Sequence, residues 1–129
     1  MSSIFTKIIQ GDIPCHKIAE DDQFFAFLDI RPMAPGHTLV IPKVEIDRFF
    51  DLDNDHLSHI MPFAKPIATA IEAVVPCDRV GLMVAGLEVP HAHLHLVPIQ
   101  GIGDLNFANA KPASNDALAA MAKQIIAGC

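Results

Sequence analysis

The spacing of apolar positions changes several times along this chain, and each change marks an element. Ile4, Phe5, Ile8 and Ile9 recur at helical spacing behind Ser3, a residue type that caps helix N-termini, and Gly11 stops the run. This predicts a short helix from Ser3 to Gln10. Two extended runs follow, His16 to Glu20 and the Phe-rich Gln23 to Ile30, with Asp21-Asp22 as the turn between them. Arg31 to Gly36, with Pro32, Pro35 and Gly36, reads as a loop, and His37 to Pro42 predicts a third strand of a meander. From Asp53 to Val75, positions such as Leu57, Ile60, Ala64, Ile67 and Ile71 keep the period of an amphipathic helix. Pro62 and Pro66 interrupt it, each costing about 3 kcal/mol or more inside a helix, so a kink or split is expected there. Arg79 to Ala85 and Ala92 to Pro98 predict two more strands, residues 101–112 are irregular, and Ser114 opens an Ala-rich helix to Ala127. Strands, then a helix, then strands, without regular alternation, predict an α+β sheet covered by helices on one face.

A chain of 129 residues is the size of one domain, residues 1–129, and a 51% hydrophobic content points to a compact globule. The mean hydropathy of +0.35 is high for so small a domain and suggests a homodimer that covers part of its surface. A net charge of −6 with no basic stripe argues against polymeric nucleic acid as a partner and leaves room for one small phosphate ligand. No secretory signal is visible, and no apolar run approaches the roughly 20 residues that span a bilayer, so no membrane partner is expected. Cys15, Cys77 and Cys129 are odd in number and form no Cys-x-x-Cys pair, which fits unpaired thiols in a reducing cytoplasm. With neither Tyr nor Trp, acid–base chemistry falls to His, carboxylates, Lys or Cys.

One segment stands apart chemically. His91-Ala92-His93-Leu94-His95 places three of the seven histidines at every second position, so on a strand all three would line one face. Burying three imidazoles together is costly unless each ring nitrogen has a partner or a task. A metal shared by all three is excluded by distance, since His91 and His95 would lie about 13 Å apart along a strand. Two neighbours could share one only with help from elsewhere, and His37 and Glu45 are the obvious recruits. Nucleophilic catalysis suits the row better. His93, with a histidine on either side, could be held by an acceptor at its far N–H while donors around it carry charge developing at phosphorus.

The run from His91 to Val97 resembles the His-φ-His-φ-His-φ-φ motif (φ apolar) of the histidine triad family. Three more matches precede it in order: Ser3 to Ile9, Phe27-Leu28-Asp29-Ile30, and Pro35 to Lys43. The resemblance covers about residues 2–108, with the last helix, about 114–127, beyond it. It implies a five-stranded antiparallel sheet with helices, two subunits pairing into a ten-stranded sheet, and a nucleotidyl hydrolase or transferase needing no cofactor. It also implies that His93 attacks the α-phosphorus of a purine nucleoside monophosphate conjugate to form a nucleotidyl-histidine. The His91 carbonyl would orient His93, with His95 and His37 around the phosphate, Asp29 on the ribose, and Ile4, Phe5, Ile8, Phe27 and Ile30 around the base.

The chain departs from its relatives in the loop before the triad. Leu82 or Met83, and Leu87, stand where many members carry Asn and Gln, and Glu88 stands where some have a hydroxyl residue at the leaving group, next to Val89. A carboxylate there would repel a polyphosphate and could favour a cationic leaving group. The lost amides raise a second reading, a purine-nucleotide-binding protein with little turnover. Some bacterial relatives hold zinc through a Cys-x-x-Cys, a His after Pro-Lys and the first triad histidine. Here those places read Ser3, Thr6, Glu45 and His91, so the resemblance argues against zinc.

Overall fold

The hydroxyls of Ser3 and Ser114 cap helices as their positions predict, accepting the backbone N–H of Thr6 at 3.0 Å and of Ala117 at 3.1 Å. Asp53 does the same for His56 at 2.8 Å. In a computed structural model describing residues 2–129, these caps open helices α1 (Ile4–Ile9), α3 (Asn115–Gly128) and α2 (Asn54–Val74) respectively. The strands are β1 (Lys17–Glu20), β2 (Phe24–Leu28), β3 (Thr38–Pro42), β4 (Arg79–Met83) and β5 (Leu94–Ile99), all paired antiparallel in the order β1-β2-β3-β5-β4.

Every residue of β2 and β3 is buried, which explains why they read as continuous apolar runs rather than as alternating ones. One face, with Phe24, Ala26, Leu28, Val40, Leu94 and Leu96, packs under α2 and α3. The other face, with Phe25, Phe27, Leu39 and Ile41, is met by Phe5 and Ile8 of α1. The sheet is therefore covered on both faces at its β2–β3 side, whereas the sequence suggested one. Because Leu39 pairs with His95, the histidine segment lies on the α1 face.

Two expectations need correction. Helix α2 is not split but runs as one element through Pro62 and Pro66. Both prolines sit four residues apart on its exposed side, where the backbone groups they leave unbonded meet water. The opposite stripe, Ile60, Ala64, Ile67, Ala70 and Ile71, is almost fully buried and holds the helix against the sheet. Replacing Pro66 with Ala should then raise unfolding stability by about 1–2 kcal/mol: a backbone bond is regained, less the entropy the ring removes from the unfolded chain. Urea denaturation checks this, and an unchanged or lower midpoint would refute it. Second, β5 begins at Leu94, so only His95 of the three histidines is in the strand.

Candidate active site

The histidine segment leaves the sheet because its backbone bonds elsewhere: Ala92 N–H donates to the Ile46 carbonyl at 2.7 Å, and His91 N–H to that of Val89 at 2.8 Å. His91 accordingly does not present its ring beside the others. Its Nε2 lies 2.8 Å from the Pro42 carbonyl and its Nδ1 2.7 Å from Ser3 Oγ, with the residue fully buried. Its carbonyl is what reaches the next histidine, 2.7 Å from His93 Nδ1.

Backbone groups fix the tautomers of all four central rings. A carbonyl only accepts, so His93 carries a proton on Nδ1, and it is the neutral tautomer with that proton that presents a bare Nε2. His91 carries its proton on Nε2 for the same reason. Met33 N–H donates to His37 Nδ1 at 3.0 Å, which leaves the His37 proton on Nε2, donating to His95 Nδ1 at 2.9 Å. The His95 proton must then sit on Nε2. That nitrogen is, among the described residues, the one buried side-chain polar atom without a partner. His93 and His95 stand edge to face with ring centres 5.0 Å apart, so the unpartnered N–H belongs to the ring next to His93.

Burial favours the neutral form of His37, His91 and His95. It pulls His37 down to about 4 and His95 to about 3, with neighbouring histidine charges adding to the effect, and it lowers His91 as well. Burial pushes the Asp29 carboxyl up, opposed by the Arg31 N–H that Oδ1 accepts at 2.9 Å. The other oxygen, Oδ2, stands 3.8 Å from His37 Nε2. His37 is delivered by the turn before β3, where Gly36 takes φ +97° and a Cβ would meet Val75 Cγ2 at 3.0 Å.

Metal fits neither cluster. Ligand atoms of Asp29, His37 and His95 lie close together, but binding at His37 Nε2 would require the proton on Nδ1, where it would oppose the Met33 N–H. At the zinc position of some relatives, Ser3 and Thr6 offer neutral hydroxyls rather than thiolates, and His91 Nδ1 already accepts from Ser3.

The remaining candidates fall into two groups. Phe5, Ile8 and Phe27 are buried core against the sheet, Val89 packs on that cluster, and Phe5 stands edge-on to His93 at 5.1 Å. Ile4 and Ile30 are 49% and 63% exposed and lie free at the surface. The loop before the triad divides the surroundings. Leu87, 92% exposed, borders a cavity of about 610 Å³ with His93, Arg48 and Phe50, while Glu88 borders one of about 220 Å³ with Asp29, Arg31, His37 and Phe107. Leu82 faces the α2 side opposite Leu96, and Met83 pairs with His95. Sequence reasoning missed Phe107, whose ring meets His95 at 5.4 Å, because it stands in an aperiodic stretch. It missed Arg48 and Phe50 for the same reason.

A family model described as the HIT domain matches residues 10–101. An adenosine 5′-monophosphoramidase of Schizosaccharomyces pombe is 41% identical over 100 residues, 76% of this chain and 74% of that protein. A HIT-like protein of Bartonella henselae involved in cell-cycle regulation has a solved structure that superposes with a TM-score of 0.87 at 32% identity, covering 99% of this chain and 96% of that one. A zinc-bound histidine triad family protein from Mycobacterium smegmatis superposes with a TM-score of 0.83 at 30% identity, covering 99% and 93%.

Proposed function

This chain belongs to the HIT-domain family, the histidine triad proteins, and from that premise we propose that it hydrolyses purine nucleoside 5′-phosphoramidates or related nucleotidyl conjugates through a nucleotidyl-His93 intermediate. The observation that carries this reading is the unpartnered Nε2–H of His95, on the ring next to His93. A buried donor without a partner costs stability unless a substrate oxygen completes it, and an oxygen on a phosphorus attacked by His93 would lie within its reach.

The reaction then follows from the tautomers. The His93 Nε2 lone pair forms a bond to the α-phosphorus as the phosphorus–nitrogen bond to the leaving amine breaks. The amine departs with that electron pair and takes up a proton from solvent. The His93 ring, now substituted at Nε2 and protonated at Nδ1, is cationic, and the His91 carbonyl 2.7 Å from Nδ1 stabilises it. Water adds to the phosphorus, its proton passes to solvent, and the nucleoside monophosphate leaves with His93 restored.

Asp29 would accept from the ribose hydroxyls through Oδ2. Asp29→Asn keeps the bond from Arg31 N–H but loses the charged acceptor, so KM should rise about ten- to hundredfold with kcat nearly unchanged. A 2′,3′-dideoxy substrate should show no such difference between wild type and variant. An equal rise on both substrates would remove Asp29 from the ribose.

Glu88 adds a second carboxylate beside Asp29, and like charge disfavours a polyphosphate there. The deciding assay compares AMP release from an adenosine phosphoramidate and from a dinucleoside polyphosphate, with calorimetric AMP binding alongside. Faster release from the phosphoramidate supports the reading. Binding without release from either favours the nucleotide-binding alternative, which the exposed Leu87 in place of an amide motivates. The active form would be a homodimer: β4 is an open edge strand, and exposed Leu82 and Met61 border an apolar cavity of about 550 Å³ beside it. No helix among the described residues is long and apolar enough to cross a membrane.

A further inference from the structure

Three polar side chains that touch no reacting atom converge on His91 from segments far apart in the sequence. Glu45 Oε1 accepts the Thr6 hydroxyl at 2.6 Å and the Ser3 backbone N–H at 2.7 Å. Ser3 Oγ accepts the Thr6 backbone N–H at 3.0 Å and lies 2.7 Å from His91 Nδ1. Since the Pro42 carbonyl keeps the ring proton on Nε2, Nδ1 only accepts, and the Ser3 hydroxyl is the donor.

The cluster has one direction only while Glu45 Oε1 is there to accept, a role that an amide oxygen at the same place would also fill. The carboxylate takes the Thr6 hydroxyl hydrogen, so Thr6 offers none to His91 Nδ1, 3.5 Å away. The Ser3 hydroxyl then has two acceptors in range, Nδ1 at 2.7 Å and Thr6 Oγ1 at 3.3 Å, and the shorter bond wins. Without that acceptor, the Thr6 hydrogen is free to turn inward to Ser3 or His91, and the pattern becomes degenerate.

We infer that Glu45 is a positioning residue for the nucleophile: through Thr6 and Ser3 it fixes the hydrogen bonding that holds His91, whose carbonyl orients His93. The inference rests on the reading of His93 as nucleophile. Its path is short and gripped at both ends. The segment Pro42–Ile46, which carries Glu45, binds the His91 ring at Pro42 and the backbone of Ala92 at Ile46, on either side of the carbonyl that receives His93 Nδ1–H. The helix that Ser3 caps carries Phe5, edge-on to His91 at 5.8 Å and to His93 at 5.1 Å. A shift of the Ser3–Glu45 contact therefore moves both the acceptor behind His93 and the wall beside it.

Glu45→Ala, which removes the acceptor, and Ser3→Ala test this, with Ser3→Thr restoring a hydroxyl. Rapid-quench mass measurement on an adenosine phosphoramidate should show the adduct forming about tenfold more slowly in the first two, with burst amplitude unchanged, AMP affinity within about twofold and Ser3→Thr near wild type. Ring ¹⁵N spectra should show His91 losing its single tautomer and His93 Nδ1–H exchanging faster in Glu45→Ala. An unchanged rate, a loss confined to burst amplitude, an equal loss of AMP affinity or no recovery in Ser3→Thr would overturn the inference. Should wild type form no adduct, the nucleophile reading fails by itself. The relay is then decided by the spectra, and His91 and His93 signals identical in wild type and Glu45→Ala would overturn it.

Discussion

His93→Asn should slow release of the nucleoside monophosphate by about ten-thousandfold or more while leaving the fold and AMP binding in place. Asparagine suits the test because its side-chain amide can still donate toward the His91 carbonyl, which His93 Nδ1–H meets at 2.7 Å, and can still lie beside Phe5. What it lacks is a lone pair where Nε2 stood. Intact mass of quenched reactions should show wild type heavier by one nucleoside monophosphate and the variant without it. The size of the effect follows from what remains: the His95 donor and the Asp29 contact would still bind substrate, but none of the neighbouring histidines offers a bare nitrogen. His91 has both ring nitrogens engaged, and His37 and His95 are joined to each other. A variant within tenfold of wild type would assign the nucleophile elsewhere. AMP binding by both proteins with turnover by neither would replace the enzyme with a binding protein.

Local patterns in the chain reached the elements and the four histidines but not the partners that give those histidines their roles. The meander was legible because β2 and β3 are buried on both faces, and α3 because Ser114 caps it. The continuity of α2 was not, since the cost of Pro62 and Pro66 is local while the compensation lies in Ile60, Ala64 and Ile67 packing on the sheet. The row of alternating histidines predicted three rings lining one strand face, with His93 set apart by its flanking histidines. The structure gives the rings different partners, because His91 turns its ring back to Pro42 and Ser3 before β5 begins. Those bonds span 49 and 88 residues of sequence, and no periodicity marks them. The same distance hid the link from Glu45 to Ser3 and Thr6, although each of the three residues stood in plain view as a departure from the zinc-binding relatives.

Acid should destabilise this fold well above the range where carboxylates titrate. His95 Nδ1 accepts from His37 and His37 Nδ1 accepts from the Met33 N–H, so each ring uses a lone pair that only a neutral imidazole has, and burial pulls them to about 4 and about 3. In the unfolded chain both return to about 6.5. At about pH 8 and above neither state binds the proton, so the stability is fully present there. Below 6.5 the unfolded chain takes up two protons that the native protein refuses until about pH 4, and more protons bound in the unfolded state means that stability falls as pH falls. Each histidine contributes about 1.4 kcal/mol per pH unit, so the pair should cost about 4 kcal/mol between pH 6.5 and 5, against a total of roughly 5–15 kcal/mol for a domain. Asp29 acts in the opposite sense, its pKa being raised by burial, but it rises from a lower range than this window. Urea unfolding at pH 7, 6 and 5 measures the slope, and ring-proton NMR of His37 and His95 over the same range should show neither titrating. A flat stability profile, or titration of either ring near 6.5, would mean that the relay tolerates charge. His95 Nε2–H would then be part of a cation, not the neutral donor that the Met33 backbone imposes through His37.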